Sequence, residues 1–368
     1  MARKGDNIRK RKDGRWEARY ITSYDINGKA IYKSIYSTKY LDIKKEKIKR
    51  ENQLNTEKQI DNSTSITVEQ ATAQFLSKIK PKVKESTYAR YNFICEKHII
   101  PYFKQQKISK LTNETLEKFI IDKQTIGSLK GGYLSPKTVN DILCVLIQIL
   151  KKHICFNIDL EKPENQQKEI ITLLENEYNK FKDYISITID NKKLGIMIAM
   201  LTGIRLGELC ALKWGDIDLE NRIITVNKTL QRIKDTDKTA TKKTKIIISS
   251  PKSHTSNRML PIPFILANKL KEFKSNANNY ILTNTTGFIE PRTYQRHFKK
   301  YLKECGIKDN HFHVLRHTFA TKAVTNGIDI KTLSMLLGHT DVSFTMKRYV
   351  HPDIEHKKLQ IEKIAVGF

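Results

Sequence analysis

The sequence predicts a multidomain α+β chain: a small N-terminal three-stranded sheet plus one helix, a helical bundle, and a mostly helical final domain carrying a small antiparallel sheet. Three observations lead to this reading. Residues 15–21 alternate as strand residues do, helix-capping residues and apolar stripes fill 67–159, and β-branched runs interrupt an otherwise helical second half between Arg222 and Pro261. The boundaries that follow are 1–60, 65–160 and 169–368.

In the first segment, Arg15-Trp16-Glu17-Ala18-Arg19-Tyr20-Ile21 has the two-residue period of a strand, and Asp13-Gly14 and Asn27-Gly28 fall where hairpin turns are needed. After Lys39 the pattern becomes that of a charged helix through Ile43, Ile48 and Leu54. The polar stretch Glu57 to Ser65 reads as a linker. Beyond it Thr67 or Ser65 is placed to cap a helix, Ser86 to cap another through Tyr88 and Tyr91, and Ser135-Pro136 to open a third. That third helix has one apolar stripe, Val139, Ile142, Leu143, Leu146 and Leu150, and Gly131-Gly132 breaks the chain ahead of it. Glu161 to Lys168, with Pro163, is the second linker.

In the last segment Gly203 ends an apolar helix holding Ile196, Ala199 and Met200, and Arg205 stands at the start of the next, buried through Leu209 and Leu212. Glu208 is three residues on and shares a helix face with Arg205. The runs Ile223-Ile224-Thr225-Val226 and Ile246-Ile247-Ile248 read as strands, with lysine-rich Lys234 to Lys245 looping between them. Lys252 then lies in a turn before Arg258 to Pro261. His313 and Arg316 are again three apart on one helical face, whereas His317 points elsewhere and reads as structural. Gly338 frees the chain to turn after a helix through Ile330, Leu333 and Leu336, which leaves His339 at its end, and Asp341 is placed to cap a short helix delivering Tyr349.

The 368 residues carry 67 Lys and Arg against 39 Asp and Glu, a net +28, which calls for a polyanionic partner through counterion release from phosphates. Residues 1–60 hold 17 of these cations against 8 acids. The five cysteines, Cys95, Cys144, Cys155, Cys210 and Cys305, are odd in number and lack metal-ligand spacing, which disfavours a disulfide framework and a zinc site. No apolar run reaches the length of a membrane span and the N-terminus is polar, so the expected setting is cytoplasmic, without membrane. No cofactor is implied, and no acidic cluster suits catalytic magnesium.

The ordered words LTGIRLGELCALKWGDID, HVLRHTFAT, LLGH and MKRYVHP resemble those of the tyrosine recombinases, the integrases of phages and conjugative transposons. The resemblance is strongest over Gly195 to Pro352. It implies a catalytic set of Arg205, Lys252, His313, Arg316, His339 and Tyr349, with Glu208 supporting Arg205 and His351 supporting the fold. Lys242, Lys243 and Lys245 are alternatives to Lys252.

It further implies an arm-type DNA-binding domain at 1–60, a core-binding domain at 65–160 and a catalytic domain at 169–368. DNA contacts would come from Arg11, Lys12, Arg15, Arg19 and Lys33 in the first, and from Lys82, Lys84, Thr87, Arg90, Lys137 and Asn140 in the second. The implied partners are double-stranded DNA attachment sites, three further protomers completing a homotetramer on that DNA, and accessory factors such as an excisionase and a DNA-bending host protein. The C-terminal helix Glu355 to Ile364 would dock on a neighbour.

The chemistry would be DNA integration and recombination for a mobile element through a 3′-phosphotyrosine intermediate. Tyrosine, with a pKa near 10, is only about 0.1% ionised at pH 7, so such a site must assist it. Two other readings fit the charge: a DNA-binding regulator on the same fold, for which the complete catalytic set has no use, and a type IB topoisomerase, against which the arm-like N-terminus argues.

Overall fold

The computed structural model describes residues 7–24, 30–50, 66–127, 132–151, 153, 158–165, 169–237, 239–250, 257–349, 358 and 362. Two compact units divide the chain between Gln166 and Gln167.

In the first unit, β1 (Ile8–Lys10), β2 (Trp16–Tyr24) and β3 (Ala30–Ser37) form an antiparallel sheet in that order, and α1 spans 40–50. Gly14, at φ +85°, lets the β1–β2 connection turn back. The sheet's alternation works as expected: Ile8 and Ala18 pack with Ile43 of α1, and Trp16, Ile35 and Tyr40 edge this small core. The Asn27-Gly28 turn and Leu54 lie outside the described residues.

The helical part contains α2 (Val68–Ile79), α3 (Glu85–Ile94), α4 (Ile100–Phe103), α5 (Asn113–Thr125) and α6 (Pro136–Leu150). Thr67 caps α2 through a reciprocal box with Gln70, which satisfies two otherwise orphaned amides. Ser135 caps α6, with Pro136 as its first residue. Ser86 does not cap its helix. α3 begins one residue earlier, where the Lys84 carbonyl takes the amides of Thr87 and Tyr88 and Glu85 faces the positive helix end. The expected α6 stripe is buried in full, against Phe103, Leu116 and Phe119.

The second unit runs through α7 (Glu175–Ile187), α8 (Asn191–Thr202), α9 (Leu206–Ala211), β4 (Ile217–Asp218), β5 (Ile223–Val226), β6 (Thr229–Lys234), β7 (Thr244–Ser249), β8 (Arg258–Pro261), α10 (Phe264–Phe273), α11 (Pro291–Glu304), α12 (His313–Thr325), α13 (Ile330–Leu337) and α14 (Val342–Tyr349). Phe181, Ile196, Leu209, Phe298 and Leu315 sit in one large core, while Leu333, Leu337, Ala320 and Tyr349 make a satellite cluster.

The strand pairing corrects the expected one. Lys234 to Lys245 is not a loop joining Ile223–Val226 to Ile246–Ile248. A further strand, β6, pairs with β7, so Lys234 and Lys245 are strand residues and the excursion is confined to 235–243. β5 pairs instead with β8, and β4 completes that sheet. Strand-forming residues mark a strand but not its partner.

Gly203 sits where α8 ends, at φ +64°, and a Cβ there would lie 2.5 Å from Phe319 of α12. Gly203→Ala should therefore cost about 1–3 kcal/mol through overpacking, with the left-handed backbone adding to it. Chemical denaturation checks this, and a variant as stable as the parent would contradict the close approach.

Candidate active site

The second unit brings two helix C-termini, those of α8 and α13, to one place. Gly203 and Gly338 both adopt left-handed conformations, at φ +64° and +63°. Each turns its helix off and leaves carbonyl oxygens free to accept from cations, as the negative end of a helix dipole favours.

Arg205 is the N-cap of α9 and is partly exposed. Its Nη1 donates to Glu208 Oε1 at 2.8 Å, its Nη2 to the Gly338 carbonyl at 3.2 Å, and its backbone amide to Glu208 Oε2 at 3.0 Å. Glu208 is only 4% exposed and holds a second guanidinium, Arg258, by both oxygens at 3.1 and 2.9 Å. Arg258 in turn donates to the Leu336 carbonyl at 2.7 Å. Burial alone would raise the Glu208 pKa, but the hydrogen bonds and charges of Arg258 and Arg205 reverse this and hold it below the usual carboxylate value. Sequence spacing paired Glu208 with Arg205. It gave no sign of Arg258, fifty positions away.

Arg316, 2% exposed, is fixed by the Gly203 carbonyl at 2.8 Å, the Leu337 carbonyl at 2.5 Å and His339 Nε2 at 3.0 Å. Burial, then the neighbouring Arg205 and Arg258 charges, bring its pKa down to about 9, so it remains a cation at neutral pH. An arginine can only donate, so His339 Nε2 accepts from it and Nδ1 carries the proton, which it gives to Thr345 Oγ1 at 2.7 Å. Burial and the charges of Arg316 and Arg205 lower the His339 pKa to about 3.

Asp341 precedes α14 and its Oδ1 accepts the Ser343 amide at 2.8 Å, and the helix ends with Tyr349. Tyr349 is 7% exposed, and its hydroxyl lies 2.7 Å from His317 Nδ1. The histidine read as structural thus packs against the tyrosine. It follows Arg316 on α12, so its side chain leaves the helix about 100° away, toward α14 instead of the two helix ends. His313 is more open to solvent and packs edge-on against His317, with ring centroids 4.6 Å apart. Desolvation and the Arg316 charge hold His313 near pKa 4, and desolvation, His313 and Arg348 do the same for His317.

Lys252 and His351 lie outside the described residues, as do almost all of Glu355 to Ile364. The strands flanking Lys252 belong to different ladders, so the expected turn between Ile246–Ile248 and Arg258–Pro261 closes no paired hairpin among the described residues. Of the alternatives, Lys242 and Lys243 are exposed in the excursion and Lys245 is ion-paired with Asp235 at 3.5 Å.

In the N-terminal sheet the face away from α1 carries Arg9, Arg11, Arg15 and Arg19, with Arg11 and Arg15 over the Tyr36 ring and Arg19 over Tyr32. Lys12 is exposed in the preceding turn. Lys33 pairs with buried Tyr20, which puts it on the opposite, helix-covered face. In the helical part Lys82, Lys84 and Lys137 are exposed and Thr87 is half-buried. Arg90 is ion-paired with Asp141, and the Asn140 amide donates to the Pro163 carbonyl at 2.7 Å. No group of three or more possible metal ligands occurs among the described residues, and no described helix is long and apolar enough to cross a membrane.

His317 and His339 have pKa values pushed well below the ordinary 6.5, so their neutral forms belong to the folded state and the unfolded chain binds more protons. Their contribution to stability is fully present above about pH 6.5 and is lost as pH falls toward 4. Melting temperature should drop across that window, and less steeply in His339→Asn. A flat profile between about pH 7 and 5 would contradict neutral imidazoles at His317 and His339.

Residues 163–356 match the model of the phage integrase family, and residues 67–123 match the phage integrase N-terminal SAM-like domain. The chain is 27% identical to a XerC-like tyrosine recombinase of Caldanaerobacter subterraneus subsp. tengcongensis, covering 92% of this chain and 93% of that protein. It is 25% identical to the ICEBs1 integrase of Bacillus subtilis, over 97% and 99% of the two. Among solved structures, the Tn1549 transposon integrase in complex with transposon right end DNA superposes with a TM-score of 0.63 at 22% identity, covering 82% of this chain and all of that one. A lambda integrase dimer bound to a COC′ core site gives 0.56 at 16% identity, over 96% and 99%. A family match across more than half of the 368 residues makes this chain an enzyme of the phage integrase family, the tyrosine recombinases.

Proposed function

We propose that the protein is a site-specific DNA integrase that cuts and rejoins strands through a 3′-phosphotyrosyl link to Tyr349, integrating and excising a mobile element. The observation that supports this best is the convergence of Arg205 and Arg316 on two helix C-termini beside His339, with α14 ending in Tyr349 next to them. A phosphodiester bound there meets two fixed guanidiniums, the arrangement that stabilises charge on the non-bridging oxygens as the phosphorus becomes five-coordinate. His313 is open to reach the same group. The phosphate's own negative charge offsets the surrounding cations and raises the proton affinity of His339, allowing Nε2 to donate in its turn.

Attack by the Tyr349 oxygen forms the Oη–phosphorus bond and expels the 5′ oxygen, which needs a proton. Lys252 is our assignment for that donor, on the family resemblance. The phosphotyrosyl bond conserves the energy of the broken diester, so a 5′ hydroxyl from a second duplex can reseal it without ATP. Residues 1–60, with the arginine and tyrosine face of the sheet, serve as the arm-type domain, 65–160 as the core-binding domain and 169–368 as the catalytic domain. Four protomers on two attachment sites in the cytoplasm complete the assembly, with an excisionase and a bending protein setting direction. The DNA-bound relatives are consistent with a DNA partner.

The test is to incubate the protein with labelled genomic fragments flanking its own gene and map covalent attachment. Tyr349→Phe should abolish attachment while leaving DNA affinity nearly unchanged, since it removes one oxygen; persistent attachment would reassign the nucleophile. Lys252→Ala should be slowed by about 10²-fold or more. A substrate with sulfur at the bridging 5′ position has a leaving group that departs unprotonated, and should rescue Lys252→Ala but not Arg205→Ala. Equal rescue of both, or of neither, would move the donor role to Lys242, Lys243 or Lys245.

A further inference from the structure

Cleavage by tyrosine requires that the phenolic proton go somewhere, and among the described residues the hydroxyl of Tyr349 has a hydrogen-bonding neighbour in His317 Nδ1, at 2.7 Å. That nitrogen accepts the phenolic proton when the imidazole carries its own hydrogen on Nε2.

We infer that His317 is the general base of strand cleavage, accepting the Tyr349 proton on Nδ1 as the phenolic oxygen attacks. The inference rests on the recombinase reading above. Atoms balance: the O–H bond of Tyr349 breaks as Oη–P forms, the proton passes to His317, and the electron pair of the P–O5′ bond leaves with the 5′ oxygen, which takes its own proton from the separate acid. In rejoining, the imidazolium returns the proton as Tyr349 departs.

Three features of the site suit His317 to this. It is neutral, because burial and the cations around it disfavour its protonated form, so Nδ1 has a lone pair to offer when Nε2 carries the hydrogen. The charged and titratable groups that face it are His313 and Arg316 on its own helix and Arg348 and Tyr349 on α14. It is also next in sequence to Arg316, so α12 presents one side chain to the phosphate and the next to the nucleophile. A phosphate entering between the arginines adds negative charge nearby, which raises the basicity of His317 when the proton is due to move. His313, packed edge-on against His317, remains available for the phosphate.

The test uses the full chain and a DNA fragment that captures the parent covalently. In His317→Asn the amide can occupy the place of Nδ1 and keep a hydrogen bond to Tyr349 but cannot take its proton. Single-turnover attachment should fall by about 10²-fold, with DNA affinity unchanged. Replacing Tyr349 with a more acidic fluorinated tyrosine should restore most of that loss in His317→Asn, and none of the loss in Arg205→Ala. The same fluorinated residue beside intact His317 gives a measurement that needs no substitution at 317. There the rate should change by less than about tenfold, because the proton is already being removed, whereas an unassisted phenol would speed up by about 10²-fold.

Attachment by His317→Asn at the parent rate would overturn the assignment. So would a slow His317→Asn that the acidic phenol leaves slow, since that is the behaviour of a residue that only holds Tyr349 in place. A parent chain that forms no adduct with any fragment would instead remove the recombinase reading, and this inference with it.

Discussion

The buried carboxylate of Glu208 is the interaction on which the site depends. Arg205, Arg258 and Arg316 are three guanidiniums in one partly desolvated region, and without a counter-charge their mutual repulsion would drive them apart or out to water. Glu208 answers two of them directly, and its place in the first turn of α9 is fixed by its bond to the Arg205 amide. Because Arg258 also holds the Leu336 carbonyl, the same carboxylate links α9, β8 and the end of α13. Removing it would leave a buried cation uncompensated, a defect more serious than the loss of a surface pair.

What the carboxylate does for two arginines, main-chain carbonyls do for the third. Among the described residues no acidic side chain bonds Arg316; it is held by oxygens that α8 and α13 expose where their glycines end them. This choice of partner matters for binding a phosphate. A carboxylate on every arginine would neutralise the cluster and compete with the anion, whereas carbonyl dipoles orient a guanidinium and leave its full charge available. In the proposed phosphate site the orientation of Arg316 is set by helix termination, so the glycines that end α8 and α13 contribute to its electrostatics.

Local sequence revealed those parts of the molecule whose causes are local. Thr67 with Gln70, Ser135 with Pro136, and Gly203 and Gly338 each carry their signal within four residues, and the structure has the corresponding caps and breaks. Arg205 with Glu208 was legible for the same reason, being one helical turn apart. Arg258 and the His317–Tyr349 contact were not, because their partners lie 50 and 32 positions away and no periodicity encodes such pairs. The strands show the same limit. β-branched runs announced β5 and β7, but β6 had a mixed composition, and the pairing of β5 with β8 spans the whole intervening β6–β7 hairpin. On the surface of an isolated helix His317 points away from Arg316, and the approach of α14 is what gives it Tyr349 as a neighbour.

Tyr349 lies in the satellite core with Ala320, Ala323, Leu333 and Leu337, so its ring is a packing element as well as the carrier of the oxygen proposed to attack DNA. This narrows the routes by which a descendant of this enzyme could lose strand cleavage and persist as a folded DNA-binding protein. Small replacements would empty a volume that α12, α13 and α14 share, and polar ones would strand an unpaired group beside alanine and leucine. Phenylalanine alone among the common residues keeps both shape and apolarity. Inactive relatives that have kept this fold should therefore carry a phenyl ring at this position, as a trace of the chemistry they gave up.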